Sequence, residues 1–294
     1  MICTASTSKI TLTIAGGGDQ PILNDLFYTE PSNVLVNDES KDDCKKTCNL
    51  SSGKINTIIL EFSEEINSCE NMFNNLTNIT IDLSEFDASK VTSMKAMFQD
   101  CANLTSINFG SINTSSVKDM SYLFLNCIKL NPIDVSSFDT SSVTRMSFMF
   151  RSCESLTSLN ASNFNTSNVE QMDDMFSYCR MLYVVDTSSF YTPKVWNFQG
   201  MFYCCEKVKF LDLHNFVGSS VTNFQFVFGY LLAVNYINLR NFKIPEENNV
   251  LLFETYISLN KKAEICIRDS SSQQKVLKEI EYSSSSKKKI RQKI

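Results

Sequence analysis

The amino-acid sequence predicts an α/β fold, a right-handed solenoid of strand–turn–helix units with a small β-rich cap at the N-terminus. Three observations predict this fold. A unit of 26 residues recurs along much of the 294-residue chain, and a fixed period of about 20 to 50 residues is typical of stacked repeats. The first half of each unit has apolar residues at helical spacing, and the second half alternates like a short strand.

The repeat keeps its spacing over six consecutive units. Each unit starts at a valine that lies 26 residues after the previous one, and these valines are Val91, Val117, Val143, Val169, Val195 and Val221. A 25-residue copy opens the series at Ile66. Positions within a unit are counted below as offsets from this first residue, which has offset 0.

The first half of the unit predicts a helix of about three turns. In the unit VTRMSFMFRSCESLTSLNASNFNTSN, the apolar residues at offsets 0, 3, 6, 7 and 10 would lie on one helix face; they are Val143, Met146, Met149, Phe150 and Cys153. Short oxygen-bearing residues precede each such stretch, as in Asn165-Thr166, and they favour helix N-caps. Ser167 and Glu170 have the spacing of a capping box.

The second half of the unit predicts a short parallel strand. Leu156, Leu159, Ala161 and Phe164 follow the leucine-rich-repeat frame L-x-x-L-x-L-x-x-N, with phenylalanine where asparagine would stand. The alternation at offsets 16 and 18 indicates that those side chains point inward. One unit cannot bury its apolar face alone, so we expect neighbouring units to stack around a continuous core.

The string F-D-T-S-x-V-x-x-M-x-x-M-F-x-x-C-x-x-L-x-x-L resembles the BspA-type leucine-rich repeat, in particular the mycoplasma-lipoprotein or surface-protein branch with a 26-residue repeat. The resemblance covers about residues 66–242. The last copies depart from the pattern at Phe198, Phe224, Val227 and Leu231. The resemblance implies a cell-surface or secreted binding protein, often an adhesin, of bacteria or parasitic protists, and it implies no catalytic residues.

The segments that flank the repeats divide the chain into three parts. Residues 1–62 predict the β-rich cap, with strands at Ile10–Ile14, Val34–Val36 and Ile58–Leu60. The solenoid is expected over residues 63–268, with clear repeats at 66–242 and a degenerate unit at 243–268 that ends in a strand at Ile265–Ile267. Residues 269–294 contain a serine run and a lysine run, and they predict a flexible tail.

The cysteines leave two interpretations open. A column at offset 10 contains Cys101, Cys127, Cys153, Cys179 and Cys205. We expect these thiols to be small buried residues, and the alternative is a redox or metal ladder. Cys204 breaks the pattern and is expected to be exposed. Cys44 and Cys48 favour a local disulfide or free thiols over a zinc site, because no histidine lies nearby. No cofactor or metal is predicted.

Composition and motifs disfavour several classes of function. The net charge of −5 and the lack of a basic stripe disfavour nucleic-acid binding. The sequence contains no run of 18 apolar residues, so no transmembrane helix is predicted. Residues 1–10 do not have the pattern of a signal peptide. His214 is the single histidine, and the sequence has none of the common catalytic motifs. We therefore predict that the protein is not an enzyme.

The outward positions of the strands predict a partner site. Offset 17 forms a stripe of acidic and amide residues, which could hold a cation or, as we expect, be solvated. Offset 15 becomes apolar in the last three strands, where aromatic anchors would face a partner. The predicted partner-binding residues are Tyr183, Val184, Asp186, Phe210, Asp212, Tyr236 and Arg240, with His214 at the rim. Alternatively, the C-terminal extension covers these residues as a cap.

The expected function is non-enzymatic binding or adhesion through the concave strand face, to a protein or glycan on a host or neighbouring cell surface. The expected location is the cell surface or the extracellular medium. An intracellular scaffold or sensor in the cytoplasm is the alternative. A Cys44–Cys48 bridge favours export, whereas reduced thiols throughout favour the cytosol. The ligand, the oligomeric state and the means of anchoring are not predicted.

Overall fold

The computed structural model describes residues 8–242 and 264–266, together with the backbone of residues 291–293. The described part of the chain contains strands and turns. The strands are β1 (Ser8–Ala15), β2 (Gly18–Pro21), β3 (Asn33–Val36), β4 (Glu39–Ser40), β5 (Thr47–Leu50), β6 (Ile55–Phe62), β7 (Ile79–Asp82), β8 (Ile107–Asn108), β9 (Ser158–Asn160), β10 (Val184–Asp186), β11 (Phe210–Asp212), β12 (Tyr236–Asn238), β13 (Glu264–Cys266) and β14 (Arg291–Lys293).

The N-terminal segment forms a sheet that continues into the first repeats. The strand order is β4-β3-β6-β1-β7-β8, and β1 is antiparallel to both β6 and β7. All three strands predicted in this segment are confirmed, because they lie within β1, β3 and β6. Strand β1 alternates between buried and half-buried residues, so its isoleucines and Leu12 face the core. Backbone hydrogen bonds from β1 to β7 therefore join the N-terminal segment to the first repeat.

The repeats stack on one another in parallel register. Strands β9 and β10 pair in parallel, as do the successive strands β11, β12, β13 and β14. A second line of contacts runs along offset 2, where single parallel bridges join Ser68, Ser93, Asp119, Arg145, Gln171, Asn197 and Asn223 in succession. The bridges at offset 2 therefore run through all the units, whereas the pairing of strands is interrupted between β8 and β9 and between β10 and β11.

The predicted α/β class, a right-handed solenoid of strand–turn–helix units, is wrong. Within the described residues there is no helix, and the stretch predicted as helical is a series of turns. The N–H of Met97 donates to the carbonyl of Met94 (3.2 Å), three residues back, whereas the N–H of Phe98 donates across to Leu123 in the next unit (3.0 Å). An α-helix would bond each N–H to the carbonyl four residues back. The backbone here alternates between bonds within the unit and bonds to its neighbour.

Left-handed residues at offsets 5 and 9 produce these turns. Their φ angles lie between 53° and 62° in every unit from Val91 onward, for example 59° at Asn126 and at Ser152. A left-handed residue interrupts an α-helix and costs roughly 1–2 kcal/mol for a residue other than glycine. The hydrogen bonds to the next unit offset that cost, because Met94, Ala96 and Phe98 all donate to carbonyls of the unit that follows.

The apolar columns predicted from the sequence form the core. The phenylalanines at offset 7 are buried, and their rings stack from unit to unit with centroids 5.3–5.7 Å apart from Phe73 to Phe202. The methionines at offset 3, such as Met146, are buried as well. These columns were assigned to a helix face, and they are confirmed as core although the helix is absent.

The C-terminal predictions fall mostly outside the described residues. Strand β13 overlaps the strand predicted at Ile265–Ile267 and pairs with β12. The rest of the degenerate unit expected at 243–268 lies outside the described residues. The tail expected at 269–294 also lies outside them, apart from the backbone of β14.

Candidate binding surface on the strand face

Three short strands present their outward side chains at equivalent positions. In β10, β11 and β12 the middle residues Val185, Leu211 and Ile237 are buried. Offsets 15 and 17, on either side, therefore point away from the core, because successive side chains of a strand alternate between its two faces. The structure thus places Val184, Phe210 and Tyr236 at equivalent outward positions of three successive units.

Four apolar residues form this surface, which we name the strand-face patch: Tyr183, Val184, Phe210 and Tyr236. Val184 is 60% exposed, Phe210 is 52% exposed and Tyr183 is 38% exposed. Tyr236 is half-buried, and its ring stacks on that of Phe210 with the centroids 4.9 Å apart. Large exposed apolar side chains grouped in this way are typical of interaction sites.

Strand β13 lies beside Tyr236. It pairs with β12 as the next strand of the sheet, with Glu264 opposite Tyr236. Interaction with the Cys266 thiol, together with burial, raises the pKa of Tyr236 to about 12. Residues 264–266 therefore extend the sheet at its edge, and within the described part of the chain Val184 and Phe210 remain exposed. The remainder of the extension predicted as an alternative cap lies outside the described residues.

The charged residues predicted at the rim hold the turns that follow the strands. The Asp186 carboxylate accepts a hydrogen bond from the N–H of Ser188 (2.9 Å). The Asp212 carboxylate accepts one from the N–H of His214 (3.1 Å) and lies 2.7 Å from Nδ1 of the same residue. The Arg240 guanidinium interacts with the Cys266 thiol, which raises the pKa of Arg240. These side chains are held in place by turns next to the strand-face patch.

The polar residues at offset 17 hold a turn in the same way along the whole series of units. Each side-chain oxygen accepts a hydrogen bond from the backbone N–H two residues later, at 2.8–3.2 Å. The residues are Asn108, Asp134, Asn160, Asp186, Asp212 and Asn238, together with Asp82 at offset 16 of the shorter first unit. Asp and Asn commonly form such turns. Within the described residues no group of three or more histidine, cysteine or acidic residues is arranged to hold a metal ion.

The column of thiols at offset 10 is buried, as predicted. Each thiol donates to a phenylalanine carbonyl, as Cys153 does to Phe124 (3.2 Å). Burial raises the pKa of Cys101 and of Cys179 to about 12. Since the thiolate is the reactive form, these positions are unsuited to redox or metal chemistry at neutral pH.

The remaining cysteines give one confirmation and one correction. Cys44 and Cys48 form a disulfide, which is one of the two predicted states. Cys204 was expected to be exposed, and this prediction is wrong, since the side chain is 7% exposed. Its φ of 59° at offset 9 places the residue on a left-handed turn.

The sequence did not predict a second surface, on the turn half of the repeats. Tyr178, Tyr203 and Phe226 surround a small cavity next to Asp174 and Gly200. The three aromatic residues come from different offsets in three units, so no single column of the repeat contains them. The sequence signal lies at offset 5, where Asp174 and Gly200 interrupt a column that is aromatic at Phe148 and Phe226.

The comparison with known proteins identifies a family. Among the described residues, none forms a helix that could span a membrane. No curated protein and no solved structure matches this chain. The family described as "Mycoplasma protein of unknown function, DUF285" matches residues 67–184 and again residues 127–242. These ranges cover the stacked repeats and more than half of the chain, so the protein belongs to this DUF285 family.

Proposed function

We propose that this chain is a non-enzymatic binding protein of the BspA-like surface type, and that it binds a protein partner through the strand-face patch. The observation that carries the proposal is the stacking of the exposed Phe210 ring on the half-buried Tyr236 ring, with the exposed Val184 on the neighbouring unit. Aromatic anchors commonly supply most of the binding energy of an interface.

The scaffold behind the patch supports the proposal. Leu211 and Ile237, which lie directly behind Phe210 and Tyr236 on the strands, are fully buried. The backbones of β11 and β12 are paired in parallel. The aromatic side chains are thus held on a preformed surface, and a partner would lose little free energy in ordering them. A glycan ligand, which aromatic rings also contact, is the alternative ligand class.

Export to the cell surface or the extracellular medium belongs to the same proposal. The Cys44–Cys48 disulfide favours an oxidising compartment. An intracellular scaffold is the second candidate, and it is favoured by the free thiols of the column at offset 10, which form no disulfide. Their burial weakens that argument, because buried thiols resist oxidation in either compartment.

Binding to immobilised extracellular-matrix proteins and to intact cells tests the proposal. The intact chain is compared with a triple variant, Tyr183→Ala, Val184→Ser and Phe210→Ala, which leaves the residues behind the patch unchanged. The matched control is Tyr191→Ala with Leu232→Ala, since these side chains are 53% and 51% exposed outside the patch. Circular dichroism and thermal unfolding establish that both variants keep the fold.

Saturable binding that is retained by the control and lost in the triple variant is the expected result. Binding that survives the triple variant would reject the strand-face patch. Loss of binding after enzymatic removal of glycans from the target would show that the ligand is a glycan and not a protein. If the intact chain shows no saturable binding to any extracellular target, the intracellular scaffold is favoured.

A further inference from the structure

We propose that an aromatic pocket on the turn half of the repeats binds a methylated ammonium group, such as the trimethylammonium group of choline or of a trimethylated lysine. The pocket lies apart from the strand-face patch, and the inference does not depend on the function proposed above. It encloses about 270 Å³, and four successive units line it. Its principal residues are Arg151, Asp174, Tyr178, Gly200, Tyr203 and Phe226.

The walls of the aromatic pocket are rings set nearly at right angles to one another. The rings of Tyr178 and Tyr203 have centroids 5.5 Å apart and an interplanar angle of 74°. The rings of Tyr203 and Phe226 are 6.0 Å apart at 80°. In such contacts the edge of one ring packs against the face of the other, and all three rings also line the cavity. The faces carry partial negative charge, which attracts organic cations.

Gly200 makes the space for a ligand. Tyr122 and Phe148 occupy the equivalent position in earlier units, and their rings stack with centroids 4.8 Å apart. Gly200 has a φ of +61°, and a Cβ added there would lie 2.7 Å from Oδ1 of Asp174. Any other residue would therefore fill the space beside this carboxylate. The glycine leaves it open between the carboxylate and the rings of the aromatic pocket.

Asp174 places one carboxylate against the rings. Its side chain is 15% exposed, and the nearest cationic atom is a guanidinium nitrogen of Arg151, 3.6 Å away. Burial raises the pKa of Asp174 above its ordinary value although Arg151 acts to lower it, so the pairing with Arg151 does not fully offset the cost of burying this carboxylate. An ammonium ligand beside Gly200 would add a second counter-ion.

The lining of the aromatic pocket carries one carboxylate, Asp174, and one guanidinium, Arg151, so it is the aromatic rings that favour a cation over an anion. The Arg151 guanidinium lies over the rings of Phe148 and Tyr178, at 5.4 and 5.5 Å from their centroids. Arg180 also lies over the Tyr178 ring, at 5.4 Å from its centroid, and pairs with Glu206. Both arginines show that these aromatic rings accept cations. An anion would pair with Arg151 but would also meet the Asp174 carboxylate and the negative ring faces.

Titration of the full-length chain with choline, followed by the ring-current shift of its methyl protons in NMR spectra, tests the inference. The uncharged isostere 3,3-dimethylbutanol is titrated in parallel, because it has the same shape without the charge. The variants are Tyr203→Ala, which removes the central wall, and Asp174→Asn, which removes the charge at nearly constant shape. Tyr191→Ala is the matched control for the loss of an exposed tyrosine.

The expected result is saturable binding of choline with little binding of the isostere. Tyr203→Ala and Asp174→Asn should each weaken choline binding by about tenfold, as expected for the loss of a partly desolvated cation–π contact or a counter-ion, while Tyr191→Ala leaves it unchanged. Equal binding of the isostere would overturn the ammonium assignment. The absence of choline binding, or binding that both variants retain, would overturn the site.

A third ligand identifies the source of the ammonium group. N-acetyl-trimethyllysine amide carries the same head group on a peptide backbone. Tighter binding of this compound than of choline would assign the aromatic pocket to a modified protein tail, and tighter binding of choline would assign it to a small molecule or lipid head group. Either outcome supports the ammonium site, provided that the isostere and the variants behave as stated.

Discussion

The hydroxyl of Thr140 is bonded to both backbone groups of Asn165 in the next unit. It accepts a hydrogen bond from the N–H (2.7 Å) and donates one to the carbonyl (3.1 Å). The same pair of bonds recurs from Thr114, Thr166 and Thr192 to the residue 25 positions later. These buried threonines, which lie in the stretches predicted as helix N-caps, therefore join four successive units to their neighbours.

Replacing Thr140 by valine should destabilise the protein. Valine has nearly the same shape but leaves the N–H and the carbonyl of Asn165 without their partner, and we expect a loss of about 2 kcal/mol in the free energy of unfolding. Thr140→Ser keeps the hydroxyl and serves as the control. Urea denaturation measures both. A Thr140→Val variant as stable as Thr140→Ser would show that these inter-unit bonds contribute little.

The left-handed turn at Ser152 predicts an unusual order of stability. Its φ is 59°, so glycine should be more stable than alanine there by roughly 1 kcal/mol. In a helix the order is reversed, and alanine is favoured by about 1 kcal/mol. Thermal or urea unfolding of Ser152→Gly and Ser152→Ala therefore distinguishes the turns from the helix. Greater stability of the alanine variant would contradict the turn geometry.

The buried thiols should be inert in the folded protein. Cys127, Cys153 and Cys205 have no exposed surface, and burial raises the pKa of each well above the ordinary value for cysteine. A thiol-specific reagent at neutral pH should label them only after unfolding. Mass spectrometry of digested samples identifies the labelled positions. The Cys44–Cys48 pair is an internal control, because it should stay unlabelled until it is reduced. Labelling of Cys153 without unfolding would revive the redox interpretation.

The turn carboxylates should make the protein less stable in acid. The Ser136 hydroxyl and N–H lower the pKa of Asp134, and Ser188 does the same for Asp186, relative to the ordinary value of 3.8. Because the folded pKa lies below the unfolded one, this stabilisation is fully present above about pH 4 and is lost as the pH falls through the folded pKa.

A double variant tests this dependence. Asp134→Asn with Asp186→Asn keeps an acceptor for the turn, as Asn108 and Asn160 do in other units. We expect the urea midpoint of this variant to change less between pH 5 and pH 2 than that of the parent chain. Asp42→Asn controls for the loss of a negative charge elsewhere on the surface. A pH dependence equal to that of the parent would rule out these carboxylates as its source.

The repeat pattern predicted which residues of the strand-face patch point outward, but it predicted neither the ring stacking within the patch nor the aromatic pocket. The outward position of Val184 and Phe210 was predicted from their offset, because strand alternation and burial of Leu211 decide it together. The stacking of Phe210 on Tyr236 required the parallel pairing of β11 and β12. The aromatic pocket could not be predicted, since its walls come from different offsets and meet only after the units have stacked.

The period, the buried columns and the N-terminal strands follow from the amino-acid sequence, because apolar spacing alone decides which side chains leave water. The backbone conformation of the first half of each unit does not. Apolar residues at offsets 0, 3, 6, 7 and 10 fit both a helix and a series of three-residue turns. The neighbouring unit stabilises the turns over the helix, because its carbonyls accept hydrogen bonds from the N–H groups of residues such as Met94 and Phe98. Those partners exist only in the stacked structure, and they stabilise the left-handed residues that an isolated repeat would avoid.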